Sequence, residues 1–175
     1  EPSDARASVT IEGRSVQVRA WRWWIQGMSG FRVPILLLDT DLPENSEWDR
    51  RLTDHLYGGD SHYRMCQEVV LGIGGVRILA SMGYSDIRTF HMNEGHSALL
   101  SLALLERRIG SNLGLATQED LETVRRQCVF TTHTPVEAGH DWFAYELVKE
   151  VVGDMFPIEV LKLLGGKEKL NMTFF

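Results

Sequence analysis

The chain has 175 residues, 43% apolar and 24% charged, enough to bury one α/β domain and too few for two. A net charge of -6 and a pI near 5.5 lack the basic footprint that nucleic-acid backbones or anionic membrane surfaces attract, so neither is an expected partner. No run reaches the roughly 18 apolar residues of a membrane helix, and no charged-then-apolar leader opens the chain.

Cys66 and Cys128 each sit in an apolar run with no second thiol nearby, which predicts buried free cysteines in a reducing, cytoplasmic compartment. The chain begins Glu1-Pro2-Ser3 without an initiator Met, which suggests a trimmed piece.

Val9 and Ile11, then Val16 and Val18, alternate around Glu12-Gly13-Arg14, a hairpin signal. After Ala20 the apolar residues change parity: Trp21, Trp23 and Ile25 fall on odd positions, which predicts a bulge near Ala20-Trp21. The tryptophans fit a sugar-stacking platform or cover for a sheet face, and the strand preference of aromatics favours the second. Residues 26–31 are glycine-rich and read as a loop. Val33-Pro34-Ile35-Leu36-Leu37-Leu38, ended by Asp39-Thr40-Asp41, reads as a strand buried on both faces, as parallel strands are. Ser46 and Asp49 then have capping-box spacing for a short helix.

Tyr57-Gly58-Gly59-Asp60 predicts a turn, and a long helix starts near Ser61 or His62 with Met65, Val69, Ile73, Val76 and Leu79 on its inner face. Gly72-Ile73-Gly74-Gly75 lies inside that helix. A dinucleotide fingerprint needs a preceding strand and a third glycine where Arg77 stands, so close helix packing is the expectation.

Two copies of one grammar follow. In the first, Ile87 and Phe90 are strand, His91-Met92-Asn93-Glu94-Gly95-His96 is a polar corner, and Ala98, Leu99, Leu102, Leu105 and Ile109 form a helix face that Asn93 would cap. After a break at residues 110–114, Thr117 and Asp120 restart a helix bearing Leu121 and Val124. In the second, Cys128-Val129-Phe130 is strand, residues 131–140 are the corner, and Asp141 would cap a helix running through Val148 and Val152. Pro157 opens a last helix, Gly165-Gly166 stops it, and Leu170-Asn171-Met172-Thr173-Phe174-Phe175 is strand-like.

This alternation predicts the α/β class, with a Rossmann-like parallel sheet and flanking helices. The expected organisation is a hairpin segment over 1–30 and an α/β core over 31–175, together one incomplete domain. Ligands of open α/β sheets settle beyond the carboxyl ends of the strands, so the two corners should face one site.

The corners hold His91, Asn93, Glu94, His96, His133, Thr134, Glu137, His140 and Asp141. Neither has His-Glu-x-x-His spacing, so no metal is expected, and no G-x-S-x-G marks a serine nucleophile. A pair of carboxylates for glycoside hydrolysis needs a defined gap, which sequence spacing does not set. Imidazole, amide and carboxylate groups together offer the directed donors and acceptors that sugar hydroxyls use. For Asn93 and Asp141 helix capping competes with this role; for His133 and Glu94 function is the stronger reading.

Phe90-His91-Met92-Asn93-Glu94-Gly95-His96-Ser97-Ala98-Leu99 and Thr132-His133-Thr134-Pro135-Val136 resemble the bacterial and archaeal branch of the α-glucan (glycogen, starch, maltodextrin) phosphorylases. Leu37-Leu38-Asp39-Thr40-Asp41, Leu56-Tyr57-Gly58-Gly59-Asp60, Gln67-Glu68-Val69-Val70-Leu71-Gly72-Ile73-Gly74-Gly75-Val76-Arg77 and Leu170-Asn171-Met172 occur in the same order in that family, so the resemblance covers nearly everything after Trp21.

The resemblance implies part of the N-terminal lobe of a two-lobed GT-B glycosyltransferase. That enzyme cleaves the non-reducing-end α-1,4 bond of a glucan with inorganic phosphate, releasing glucose 1-phosphate. It implies pyridoxal phosphate held by a lysine of the other lobe. Lys149, Lys162, Lys167 and Lys169 do not match that lysine's motif, so no cofactor is expected on this fragment, which would be inactive alone.

Residue by residue, His133 resembles the histidine that holds the glucose 6-hydroxyl and turns its backbone carbonyl toward the developing oxocarbenium. Asp60 resembles the acidic position of a mobile gate loop, and both are expected to be catalytic. Glu94, where other branches carry Asp, would orient His133 or meet the sugar from its β side, with Asn93, His96 and Thr134 as further substrate-side contacts. Glu137 departs from the branch, which often has proline there. The implied partners are α-1,4-glucan, phosphate, the C-terminal lobe of the same chain and a second copy. Two rivals remain: a nucleotide-sugar glucan synthase of the same fold, and a non-catalytic glucan-binding module.

Overall fold

The computed structural model describes residues 1–56, 58–133 and 140–173. Strands β1 (Pro2–Ile11) and β2 (Arg14–Gln26) pair antiparallel, with Ile11 opposite Arg14. Only Glu12 and Gly13 remain for the turn, both at positive φ (51° and 76°), the geometry that matches the twist of the flanking strands. Val9, Ile11, Val16, Val18 and Ala20 are buried on one face.

The predicted bulge is displaced onto the partner strand. Pairing shifts from Arg6↔Arg19 to Pro2↔Trp21, so residues 3–5 of β1 face Ala20 alone while β2 runs on regularly against β3 (Arg32–Asp39). The parity change therefore marks a change of face. Trp21, Trp23 and Ile25 lie opposite Leu37, Ile35 and Val33, and all six are exposed, Trp23 at 66% and Val33 at 61%.

Strand β3 also departs from expectation: it is an antiparallel edge strand, not a parallel strand buried on both faces. The reason is the short loop before it. Gly27 N–H donates to Phe31 O at 2.7 Å and Gly30 N–H to Gly27 O at 3.0 Å, turning the chain straight back, and a direct hairpin return makes neighbours antiparallel.

Helix α1 (Glu47–Arg50) is capped by Ser46, whose side chain accepts from Asp49 N–H, one half of the predicted capping box; the Asp49 carboxylate accepts instead from Ser46 Oγ at 2.6 Å and from Arg14. Helix α2 (Ser61–Glu68), a π-helical turn over Val69–Gly74 and α3 (Gly75–Ser81) form one continuous rod. A Cβ on Gly72 would lie 2.9 Å from both Leu100 N and Leu99 Cβ, so the expected glycine-only packing occurs there, against the start of α4 (Leu100–Ile109).

Strands β4 (Phe90–Asn93) and β5 (Cys128–Thr131) are parallel and in register, joined through α4 and α5 (Gln118–Gln127). Thr117 and Asp120 complete a reciprocal capping box on α5. Strand β6 (Trp142–Ala144) pairs antiparallel with β7 (Lys169–Asn171), and α6 (Tyr145–Val152) and α7 (Ile158–Gly165) lie between them in sequence.

Two capping expectations fail for one reason: an extra element intervenes. A 3-10 turn at Gly95–Ser97 separates Asn93 from α4, and β6 separates Asp141 from α6, so both side chains are released for other contacts. The fold is thus mixed α/β, with one parallel pair of strands and two antiparallel sheets among the described residues. Cys66 and Cys128 are free thiols, and burial pushes Cys66 up to about 12. Among the described residues, no helix is long and apolar enough to cross a membrane.

Candidate functional site

The parallel register sets Asn93 beside Thr131, so the two corners leave the sheet at the same end, as the repeated grammar predicted. Glu94 then takes a positive φ of 61°, and its N–H donates to Thr131 O at 2.9 Å. A non-glycine residue in this region is strained, and such strain persists where surrounding contacts enforce it. Here the enforcing contact is direct: the His133 backbone N–H donates to the Glu94 carboxylate.

His133 and Asn93 also meet, with the ring Nε2 2.6 Å from the amide Oδ1. An amide oxygen only accepts, so Nε2 carries the proton and a neutral ring offers Nδ1 as an acceptor. His91 Nε2 lies 2.5 Å from Thr131 Oγ1, tying the strand ends together. Beneath the corner a Cβ on Gly95 would fall 2.7 Å from Met172 Cβ, so the Leu170-Asn171-Met172 stretch packs against this turn.

A second polar group stands behind the first. Asp141 pairs with Arg64 and lies 3.2 Å from His96 Nδ1. Glu68, on the last turn of α2, is only 4% exposed, and among the described residues neither of its carboxylate oxygens has a hydrogen-bond partner. Burial pushes its carboxyl well above the ordinary range, against the opposing pull of Arg64. Burial and then Arg64 lower His96, which Glu94 offsets only in part.

Arg64, Glu68, His91, Asn93 and His96 are among the polar residues lining an open groove of about 1030 Å³ whose walls are otherwise largely apolar, including Leu36, Leu38, Leu71 and Leu79. Asp60 stands apart. Its carboxylate accepts from Tyr63 N–H at 2.9 Å and caps α2, and it is not among the residues lining the groove. Tyr57, Thr134 and Glu137 lie outside the described residues. The structure therefore joins His133, Glu94 and Asn93, places His96 beside them, and leaves Asp60 elsewhere.

Comparison with known proteins finds phosphorylases. Glycogen phosphorylase of Mycobacterium tuberculosis (strain H37Rv) is 44% identical over 158 residues, 88% of this chain and 18% of that protein. Maltodextrin phosphorylase of Thermococcus litoralis is 43% identical over 169 residues, 94% of this chain and 19% of that protein. The homologues of this chain are glycogen and maltodextrin phosphorylases. A third phosphorylase, from Aquifex aeolicus, is 33% identical over 136 residues. No protein-family model matches the chain. It spans under a fifth of the length of these phosphorylases, so it corresponds to a segment of them.

Within the phosphorylase segment, sequence reading missed Arg64 and Glu68 as site residues and took Asp141 for a cap. One signal was present. Glu68 lies between Met65 and Val69 on the inward stripe of α2, and a carboxylate at a core position is uncommon without a partner or a role.

Proposed function

We propose that this segment forms one wall of the sugar site of an α-glucan phosphorylase, in the N-terminal lobe of a GT-B enzyme. That enzyme cleaves the non-reducing-end α-1,4 bond with inorganic phosphate to give glucose 1-phosphate. The observation that carries the reading is the parallel β4–β5 register, which brings Asn93, Glu94 and His133 together at the strand ends.

Each residue has a distinct task. Asn93 holds the His133 ring so that its other nitrogen can accept from a sugar hydroxyl. Glu94 anchors the His133 backbone, which sets the direction of the following carbonyl dipole toward positive charge building on the sugar. His96 supports the same wall, Thr134 is assigned a sugar contact by the resemblance alone, and Asp60, at the start of α2 beside Gly59 at φ 74°, serves a gate that closes over the site.

Pyridoxal phosphate, which the resemblance implies for the longer enzyme, does not fit the described groove. No lysine lines it, and Lys162 lies instead over the Tyr145 ring and 3.8 Å from Glu159. The phosphate and cofactor chemistry is therefore assigned to other parts of the enzyme, and the segment alone is inactive.

A second reading, a non-catalytic glucan-binding surface, has one observation in its favour: Trp21 and Trp23 are exposed side by side on one sheet face. An amide NMR titration with maltoheptaose, run beside His133→Ala, separates the two. Shifts at Asn93, Glu94 and His133 that weaken at least tenfold in the variant are expected. Shifts of equal affinity in the variant, centred on residues 21–24, overturn the assignment.

A further inference from the structure

We propose that Glu68, His96 and Asp141 bind a divalent transition-metal ion of the zinc class beside the groove. The site goes beyond the sugar-wall reading and does not depend on it.

The three side chains come from separate segments: the end of α2, the turn after β4, and the residue before β6. One ligand atom from each lies within 4.8 Å of the others. Zinc holds nitrogen and carboxylate oxygen at about 2.0–2.2 Å, which places neighbouring tetrahedral ligands roughly 3.4 Å apart. The His96 Nδ1 to Asp141 Oδ2 separation of 3.2 Å is already one such edge. The Glu68 oxygen, within 4.8 Å of both, is the third donor.

The second observation concerns Glu68 itself. A carboxylate 4% exposed with no hydrogen bond to either oxygen among the described residues carries the full cost of leaving water, and such groups in native proteins call for an explanation. A cation drawn to that carboxylate supplies the missing interaction. One imidazole and two carboxylates form a donor set suited to zinc, manganese or ferrous iron rather than to calcium. Arg64, Glu68 and His96 line the open groove, so an ion has a path inward and solvent can complete its coordination.

Arg64 is the competing charge, since it pairs with Asp141 in the metal-free arrangement. Its side chain is 39% exposed, so it can turn to solvent and leave two carboxylates facing the dication. A comparable group at the hairpin tip, Glu12, His62 and Glu150, lacks this feature. Glu12 there is already bonded to Arg14 and to His62, and Glu150 is exposed.

The test uses the chain stripped with a chelator, then dialysed against zinc, with bound metal counted by mass spectrometry and cobalt substitution read by visible absorption. The expected result is one ion per chain, with affinity at least tenfold weaker in Glu68→Gln and in Asp141→Asn, unchanged in Glu150→Gln, and tighter in Arg64→Gln. Circular dichroism of each metal-free variant establishes that it is folded. No retained ion in the wild-type chain overturns the proposal, as does retention that survives Glu68→Gln or is lost in Glu150→Gln instead.

Discussion

At the hairpin tip, Glu12, Arg14, Asp49 and His62 gather around Trp48; at the strand corner, Arg64, Glu68, His96 and Asp141 gather beside the groove. The side-chain types are the same in both places, and their hydrogen bonding is not. Asp49 is 2% exposed and accepts from Arg14 Nε and Nη2 at 2.9–3.1 Å and from Ser46 Oγ at 2.6 Å, so its burial is fully answered. Arg14 also lies over the Trp48 ring at 5.5 Å and pairs with Glu12. Glu68, buried to a similar degree, has no such answer among the described residues. A satisfied buried acid fastens elements together, whereas an orphaned one costs stability and points to a ligand or a role.

Three substitutions sharpen that contrast. Arg14→Ala removes both guanidinium donors to Asp49, leaving Ser46 Oγ, and should destabilise the fold by about 2 kcal/mol, the scale for charge-assisted hydrogen bonds, read as a lower urea midpoint. The partly exposed Arg14 lets water replace some of the loss, which keeps the effect below that of a fully buried pair. Glu68→Met should move the other way in metal-free protein, stabilising by about 1 kcal/mol because it removes an unpaired polar group and fills the space with an apolar one. Destabilisation by Glu68→Met would show that the carboxyl is satisfied and erase the contrast.

The smallest effect is in pH dependence. Burial alone would raise the Asp49 carboxyl, but the hydrogen bonds from Arg14 and Ser46 and the Arg14 charge outweigh it and hold the group below its ordinary value. A folded-state value below the unfolded one contributes stability that is present above about pH 4, the ordinary Asp value, and is lost as pH falls below it. Asp49→Asn should therefore be less stable at neutral pH yet lose less stability across the acid range. Parallel acid limbs for the two proteins would remove Asp49 from the account.

Local rules were legible wherever a short stretch decides its own geometry. The Glu12-Gly13 turn, the Ser46 and Thr117 caps, the apolar stripe of α4 and the Pro157 start of α7 all follow from nearest neighbours in sequence. The pairing of the two corners was legible too, because repeated strand, polar corner and helix imply parallel strands with a shared end. The apolar run of β3 misled because continuous hydrophobicity says that both faces avoid water but not which strand lies beside it. Asn93 and Asp141 misled because a polar residue before a helix caps it only when no turn or strand comes between.

The sequence by itself determined the element types, the two polar corners and the kinship with phosphorylases, since each is written in spacings of a few residues or in motifs met in order. Tertiary structure alone decided that the tryptophan face of β2 is uncovered, that His133 meets Asn93 through its ring and Glu94 through its backbone, and that Glu68 stands without a partner beside Asp141. Those facts depend on residues 39 to 73 positions apart along the chain, or on what does not cover a surface. Neither the direction of a side chain nor the absence of a neighbour has a local signature, because both are set by how separate elements pack.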